Sequence, residues 1–471
     1  MTSSAASAHI DDHPDHPLDA TERRALRDEA LELLRKLVRN ACVNDLTPDS
    51  GQEERNADTL EEYFAGAPVS IRRLEPRPGR TSIIVTVEGE DPEAEPLTFL
   101  GHTDVVPVDE PRWTTEPFGA EVIDGKIYGR GTQDMLGITA SMAVVTRRIA
   151  ESPRRPKGTL TFVGVADEEA RGGLGAKWLS EEHPGEFSWR NAVGERGGAH
   201  IRPADGTDHV TVTIGEKGAA QRRLHVTGDA GHGSQPYGVT SSIRRIGVVA
   251  QRISDATPPV SQDGVWENFV RVFDFDGATL AALAEGSPNA YEAFGDLAGY
   301  AYAISHLTVS PTVVRAGEAI NVFPSSAHLD LDIRTLPGQT DDDVDAYLRG
   351  VLGDIAEEVR IERLISEPAS LSPTGTPVFE AITETIAEFF PESTVLPIIS
   401  GGGTDLRFAR RLGGVGYGFA LNHRDRTFAH ESLRGHGHDE HLHLEDLELT
   451  VAAYLRLTER VLLSGRTRRG F

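Results

Sequence analysis

The segment Leu97-Thr-Phe-Leu-Gly-His-Thr-Asp104 consists of a short apolar run followed by a polar turn. Apolar runs of this length, bounded by turn residues, are typical of buried strands. We therefore predict a strand at Leu97–Leu100, with His102 and Asp104 just beyond its carboxyl end. Positions i and i+2 of an extended chain share a face, so these two side chains are expected on the same side. Ser82–Val87, across an acidic loop, is predicted to form a hairpin with this strand.

The same arrangement recurs twice further along the chain. Thr159–Val165 and Asn191–Val193 are predicted strands, and each is followed directly by acidic residues. Strands that alternate with helical patterns indicate an α/β fold with a largely buried sheet, and in such sheets functional groups gather beyond the carboxyl ends of the strands. The acidic residues at these two ends are Asp167, Glu168, Glu169 and Glu195.

The middle of the chain has the pattern strand–helix–strand–strand–helix–strand, which suits a small α+β domain inserted into the α/β domain. Within it, Phe273–Ser305 is longer than a standard connection and is expected to carry a helix of its own. The predicted boundaries are a disordered polar tail at 1–20, an α/β domain made of 21–216 and 368–471, and the inserted domain at 217–367.

Composition excludes several classes of protein. The 471 residues include 73 Asp and Glu against 47 Lys and Arg, a formal charge of −26. This charge repels phosphate backbones and anionic lipids, so neither nucleic acid nor a membrane surface is an expected partner. No apolar stretch approaches the ~18–20 residues of a membrane span. The single Cys42 excludes an intramolecular disulfide, and the start of the chain lacks the apolar centre of a secretory signal, so a cytoplasmic location is expected.

Two of the polar positions have more than one explanation. His102 followed by Asp104 is suited to be a metal ligand with the group that orients it, or a structural histidine in a hydrogen bond. In the glycine-rich segment Gly129–Gly137, Asp134 could cap the helix that follows, or its two oxygens could bridge two cations.

The other acidic and histidine positions are equally open when taken singly. Asp167-Glu168-Glu169 could be a solvated loop, but directly after a buried strand its mutual repulsion requires cations or a retained proton. One glutamate could then bind metal while its neighbour acts as a general base. Glu195 could pair with Arg196 at the surface, and His436 lies in a histidine-rich tract that could bind metal or form a flexible loop.

Together, two histidines and several carboxylates without a thiolate suit a borderline metal such as Zn²⁺, with Co²⁺ or Mn²⁺ as alternatives. Over nearly the whole chain after the tail, the order and spacing of five motifs resembles the co-catalytic zinc exopeptidase and deacylase family. This family includes carboxypeptidase G, aminoacylase, acetylornithine deacetylase and succinyl-diaminopimelate desuccinylase. The motifs are His102-x-Asp104, Gly129-Arg-Gly-x-x-Asp134, Asp167-Glu168-Glu169, Gly194-Glu195 and His436-x-x-x-Glu440.

The resemblance implies a zinc-exopeptidase-like catalytic domain, with a mixed sheet flanked by helices, and a ferredoxin-like inserted domain that serves as a lid or for dimerisation. It also implies two Zn²⁺ per subunit, bridged by Asp134, and a cis peptide bond after this residue. The remaining implied ligands are His102 and Glu195 on one ion, and Glu169 and His436 on the other.

Further roles follow from the same resemblance. Glu168 would be the general base and acid, Asp104 would orient His102, and His232, in a Gly228–Ser234 motif, would stabilise the oxyanion. The implied contacts to the substrate are Asn321, Arg334, Gly402, Gly403 and Thr404.

The implied activity is metal-dependent hydrolysis of a peptide or N-acyl amide bond next to a free carboxylate, through a water activated by two metals. The substrate would be a small peptide or an N-acyl amino acid, and a homodimer through the inserted domain is a hypothesis drawn from the family. The alternatives are an N-acyl-amino-acid deacylase on the same fold, or a non-catalytic protein that binds metal or a carboxylate ligand.

Overall fold

The computed structural model describes residues 18–47, 49–261, 263–432 and 435–463. Residues 1–17, most of the predicted tail, lie outside the described residues. Backbone contacts divide the chain into two compact units. Among the described residues, the first unit comprises the chain up to 214, 372–397 and 404 onward, and the second unit comprises 215–371 and 398–403.

The helices and strands have the following bounds. The helices are α1 (Ala20–Arg39), α2 (Glu54–Phe64), α3 (Gly137–Ala150), α4 (Ala176–Glu182), α5 (Ser242–Asp255), α6 (Gly264–Arg271), α7 (Gly277–Ala284), α8 (Ala298–Ser305), α9 (Asp341–Leu352), α10 (Pro377–Phe389), α11 (Leu406–Arg411), α12 (Phe428–Ser432) and α13 (Leu444–Thr458). The strands are β1 (Ser70–Leu74), β2 (Ser82–Val87), β3 (Leu97–His102), β4 (Glu121–Ile123), β5 (Lys126–Tyr128), β6 (Leu160–Val165), β7 (Asn191–Gly194), β8 (His200–Ile201), β9 (His209–Glu216), β10 (Gly218–Ala219), β11 (Arg222–Thr227), β12 (Gly231–His232), β13 (Thr308–Ala316), β14 (Val322–Phe323), β15 (Ser326–Thr335), β16 (Arg360–Arg363), β17 (Ser370–Leu371), β18 (Thr394–Ser400), β19 (Val415–Gly418) and β20 (His441–His443).

A mixed sheet forms the core of the first unit. Its strands lie in the order β1-β2-β6-β3-β7-β19-β9, with β8 and β18 also paired to β9. The β6–β3, β3–β7 and β7–β19 pairs are parallel, whereas β1–β2, β2–β6 and β19–β9 are antiparallel. Every residue of β3 and β6 is buried, as expected for strands that are covered on both faces. The predicted α/β fold with a mixed sheet is confirmed.

The predicted hairpin of β2 and β3 is wrong. β6 lies between the two strands and pairs antiparallel with β2 and parallel with β3. The acidic loop after β2 instead runs beside the segment just before β6. There the N–H groups of Glu90 and Asp91 donate to the carbonyls of Pro156 and Lys157. All three strands are buried, so the burial of β6 on both faces outweighs the proximity of β2 and β3 along the chain.

The second unit contains an antiparallel sheet in the order β10-β15-β11-β16, with β13 also paired to β15. Helices α5 and α9 cover one face, where Leu224, Val249, Leu329 and Leu348 form a buried apolar cluster. This is the α+β arrangement that the sequence predicts. The helix expected within Phe273–Ser305 is also confirmed, since both α7 and α8 lie there.

Among the described residues, no helix combines the length and the apolar character that crossing a lipid bilayer would require.

A glycine after β6 tests how tightly this part of the first unit is packed. A Cβ on Gly175 would lie 1.7 Å from the carbonyl oxygen of Ala166, so Gly175→Ala should lower the free energy of unfolding by about 2 kcal/mol or more. Chemical denaturation measures this. Gly185→Ala is the matched control, because nothing lies within 4 Å of a Cβ there. Equal stability of the two variants would contradict the packing described here.

Candidate metal centre

The sheet of the first unit brings the predicted strand ends together. β3 ends at His102, the turn after β6 carries Glu168 and Glu169, and Glu195 directly follows β7. Because β6, β3 and β7 are parallel neighbours, their carboxyl ends meet at one edge of the sheet. Asp134 reaches this edge from the turn before α3, and the loop before β20 contributes the remaining ligand candidate.

The predicted ligands form two groups that share Asp134. In the first group, atoms of His102, Asp134 and Glu195 lie within 4.8 Å of one another, and in the second group so do atoms of Asp134, Glu169 and His436. The Nε2 atom of His102 lies 3.2 Å from Oδ1 of Asp134, whereas Nε2 of His436 lies 3.5 Å from Oδ2. The same His436 nitrogen is 3.3 Å from Oε2 of Glu169. Each oxygen of Asp134 therefore faces one group.

The carboxyl groups of this site are costly to hold as anions unless a cation lies beside them. Burial raises the pKa of Glu195 to about 8 and also raises the pKa values of Glu168 and Glu169. Hydrogen bonds with Asp134 and Glu169 raise the pKa of His436 to about 10. Among the described residues, Oε1 of Glu169 and Oε1 of Glu195 are buried without a hydrogen-bond partner. Two imidazoles with these carboxylates match the donor set of zinc and related divalent metals.

Asp134 is held in place by Glu440. Oε1 of Glu440 accepts the N–H groups of Gln133 (2.8 Å) and Asp134 (3.2 Å), while Oε2 accepts from Arg130 at 2.6 Å. The peptide bond between Asp134 and Met135 is cis, as the family resemblance implied. In the sequence, Glu440 stands out only as the last residue of the His436 motif, and its role in positioning the shared aspartate was missed.

Asp104 lies beside His102, but its contacts differ from the expected ones. Nδ1 of His102 is 2.9 Å from the main-chain carbonyl oxygen of Asp104 and 3.6 Å from the carboxylate. The carboxylate instead accepts the N–H groups of Glu168 (3.1 Å) and Glu169 (3.2 Å). The main chain of Asp104 therefore orients the imidazole, and its side chain fixes the backbone of the two glutamates.

A buried network beneath the acidic turn was not foreseen from the sequence. Asp167, the first residue of the acidic run, pairs with Arg80 at 2.5 Å and accepts a hydrogen bond from Asn44 at 3.2 Å. The same Arg80 binds both oxygens of Glu53 at 2.8 Å. One charge of the run is thus neutralised by a protein cation. Glu53 and Arg80 lie far along the chain from every recognisable motif, so no local signal identifies them.

Asp405 is a further buried carboxylate that the sequence analysis did not single out. Among the described residues, neither of its oxygens has a hydrogen-bond partner. Burial raises its pKa to about 7. It directly follows the glycine-rich turn that contains three predicted substrate contacts, and that position was the only available signal.

The second unit holds most of the predicted substrate contacts. His232 lies on β12, opposite Val322 of β14, and the carbonyl of Asn321 accepts the N–H of Gly233 at 2.7 Å, so His232 and Asn321 are neighbours. His232 is exposed, with Nδ1 2.7 Å from the hydroxyl of Ser234.

The other predicted substrate contacts lie further along the sequence than His232 and Asn321. Arg334 lies on β15 and donates to Asp332 at 2.9 Å. In the glycine-rich turn, the N–H of Gly402 donates to the hydroxyl of Ser400 at 3.2 Å, and Gly403 is the last residue of the second unit. Thr404 begins the next segment of the first unit, where its carbonyl accepts from Arg407.

The chain is similar to known proteins in both sequence and fold. The chain is 28% identical over 466 residues to N-fatty-acyl-amino acid synthase/hydrolase PM20D1 of Xenopus tropicalis, covering 92% of this chain and 86% of that protein. It is 31% identical over 394 residues to succinyl-diaminopimelate desuccinylase of Caulobacter sp. (strain K31), covering 82% and 86%. The fold is similar to that of the M20 family metallo-carboxypeptidase Sso-CP2 from Sulfolobus solfataricus, with a TM-score of 0.69, 17% identity and coverage of 92% and 99%.

A family model matches residues 98–460, which include all the predicted metal ligands. The two ligand groups that share Asp134 lie within this matched region. The chain therefore belongs to Peptidase family M20/M25/M40 and is a metal-dependent hydrolase.

Proposed function

We propose that this protein hydrolyses a peptide or N-acyl amide bond next to a free carboxylate, and that two metal ions and Glu168 carry the reaction. The observation that carries the proposal is the shared Asp134, whose two oxygens face two separate ligand groups. Glu168 is adjacent to a ligand of the second group but belongs to neither group. A carboxylate beside the ligands that does not itself bind metal is suited to act as a general base.

The proposed ions are Zn²⁺, with Co²⁺ or Mn²⁺ as alternatives. Asp134 would bridge them, with His102 and Glu195 on one side and Glu169 and His436 on the other. When bound, such ions supply Lewis-acid polarisation of the scissile carbonyl and lower the pKa of water. The protein holds the bridging aspartate through Glu440 and the two glutamates through the carboxylate of Asp104.

Glu168 is suited to move the proton of the reaction. Burial, with the nearby charge of Glu195, raises the pKa of its carboxyl group well above the usual value, which brings it nearer the range where a carboxylate both accepts and releases a proton. We propose that it takes a proton from the attacking water and delivers it to the leaving amine. The N–H of Glu168 is bound by Asp104, so the backbone beneath the base is fixed.

The substrate class is supported by the relatives. The names of the Xenopus and Caulobacter proteins describe an N-fatty-acyl-amino acid hydrolase and a desuccinylase, both of which act on N-acyl amides. We therefore keep two candidates, a dipeptidase or carboxypeptidase and an N-acyl-amino-acid deacylase. The proposed substrate contacts are Asn321, Arg334, Gly402, Gly403 and Thr404, with His232 stabilising the oxyanion.

The second unit is proposed to act as a lid and to mediate a homodimer, and the chain is proposed to work in the cytoplasm, in line with its single, free cysteine.

Metal binding is the first test. The purified protein, loaded with Zn²⁺ and desalted, should retain two ions per chain by elemental analysis, and His102→Ala and His436→Ala should each retain fewer, because each removes a ligand from one group. His438→Ala is the matched control, since this exposed histidine of the same tract contacts Arg112 and belongs to neither group. If the control lost as much zinc as the ligand variants, the assignment of the ligands would be wrong.

Glu168→Gln tests the base. The amide keeps the shape of the side chain but cannot accept a proton, so kcat on an N-acyl amino acid should fall by about 10²–10⁴-fold. Zinc content should not change, because Glu168 is outside both ligand groups. The exposed Glu181→Gln variant serves as the control. A variant at position 168 that turned over at the wild-type rate would exclude the base.

Arg334→Met tests recognition of the carboxylate. A charge-assisted contact from this guanidinium predicts that the preference for a free-acid substrate over its amidated form, measured as the ratio of kcat/KM values, falls about 10- to 100-fold in the variant. Arg360→Met is the control, because Arg360 is an exposed arginine of the same unit that pairs only at 3.4 Å with Glu362. An unchanged ratio would show that Arg334 serves only its ion pair with Asp332.

A further inference from the structure

Arg196 occupies a backbone position that normally belongs to glycine. It directly follows Glu195 in the turn after β7, and its φ of 72° lies in the left-handed region that side chains with a Cβ adopt at a cost. Gly197 and Gly198 continue the turn, and a Cβ on either would lie within 2.4 Å of the carbonyl oxygens of Gly418 or Ala420. The turn is therefore packed tightly on the end of β19, and the base of Arg196 is fixed at the metal-centre edge of the sheet.

The guanidinium of Arg196 turns toward the metal centre without binding it closely. Its Nη2 atom lies 3.9 Å from Oδ2 of Asp134, and its Nε atom lies 3.7 Å from Oε2 of Glu195. Both distances are longer than a hydrogen bond, and within the described chain Arg196 makes no hydrogen bond with another residue. Its side chain is 45% exposed. The guanidinium, at the edge of the candidate metal centre, thus has five N–H donors that make no hydrogen bond within the described chain.

Metal loading would weaken the attraction of Arg196 to its two nearest carboxylates. Asp134 and Glu195 are both proposed ligands, so bound divalent ions would neutralise the two carboxylates that now attract Arg196. A guanidinium beside divalent cations is repelled by them unless an anion lies between. The planar fork matches a carboxylate in a bidentate geometry, which makes a carboxylate of the substrate the natural counterion.

We propose that Arg196 is a specificity-determining residue that binds a second carboxylate of the substrate. This inference rests on the proposed function, in which Arg334 and Asn321 of the second unit receive the carboxylate next to the scissile bond. A cation at position 196 would favour substrates that carry a carboxylate besides the one next to the scissile bond. The substrate class is thus an amide that carries a second acid, such as an N-acyl amino acid whose acyl group ends in a carboxylate, or a dipeptide with an acidic side chain.

A pair of substrates that differ only in charge tests the proposal. N-succinyl-L-leucine and its succinamoyl analogue have nearly the same shape, but only the first has a second carboxylate. The zinc-loaded wild type should prefer the succinyl compound, and the ratio of the two kcat/KM values should fall about 10- to 100-fold in Arg196→Met. Arg196→Lys should restore part of the preference, because it keeps the charge but not the fork.

Two further variants separate recognition from folding. Arg196→Gly removes the guanidinium and places the residue best suited to a left-handed φ at this position, so it should fold at least as well as the wild type and show the same loss of preference. Arg202→Met is the control, since Arg202 pairs with Asp208 away from the ligand groups. Its substrate preference should be that of the wild type.

Binding of succinate supplies a readout that does not depend on turnover. Calorimetry with zinc-loaded protein should show a Kd for succinate that rises about 10- to 100-fold in Arg196→Met and Arg196→Gly, with zinc content unchanged. An unchanged preference and Kd, or a loss of zinc in both variants, would overturn the proposal and leave Arg196 a structural countercharge. If the wild type hydrolysed neither these compounds nor a dipeptide with an acidic side chain, the proposed function would fail, whereas the succinate Kd values would still decide whether Arg196 binds a carboxylate.

Discussion

The concentration of buried carboxylates at one edge of the parallel strands is the constraint on which the rest of the first unit depends. Asp104, Asp134, Glu168, Glu169 and Glu195 all lie where the chain leaves β3, β6 and β7 or enters α3. Burial and the neighbouring carboxylates raise the pKa of several of them, so the chain cannot hold them all as anions without compensating positive charge. Divalent cations would provide such charge at the point where Asp134 faces both candidate ligand groups. The crowding that makes this edge costly to fold is thus the feature that suits it to hold metal.

Separate ion pairs around the candidate metal centre reduce the cost of burying carboxylates there. Arg80 pairs with both Asp167 and Glu53 below the acidic turn and offsets one of their two charges, and Arg130 pairs with Glu440 behind Asp134. These cations are buried and bind at 2.5–2.8 Å, in contrast to Arg196, which stays beyond hydrogen-bond distance and half exposed. Buried pairs with such geometry are structural, because removing one partner strands the other charge. The guanidinium of Arg196 is held less closely, at 3.7–3.9 Å from Glu195 and Asp134, and this is consistent with the proposal that it binds a ligand.

The strand pattern located the polar residues better than it located what supports them. His102 ends β3, Glu169 lies in the turn after β6 and Glu195 directly follows β7, as the rule on carboxyl ends predicts, whereas their assignment as ligands came from the family resemblance and stays a proposal. Arg80 and Glu53 carry no local signal, since their meeting depends on how distant segments stack. The predicted hairpin of β2 and β3 was wrong for the same reason. β6, more than 50 residues further along the chain, lies between the two strands. Asp104 shows a subtler limit, because a sequence names the residue but not whether its main chain or its carboxylate makes the contact.

The turn after β7 places the proposed specificity residue beside the candidate metal centre. The glycines at 197 and 198 fix the turn on β19, so the residue at 196 is held at the rim whatever its side chain is. A glycine there would satisfy the backbone at no cost, and an arginine accepts a left-handed φ instead. Because Arg196 is adjacent to Glu195 but outside both candidate ligand groups, its replacement is expected to change anion binding while Asp134 and its neighbours stay in place.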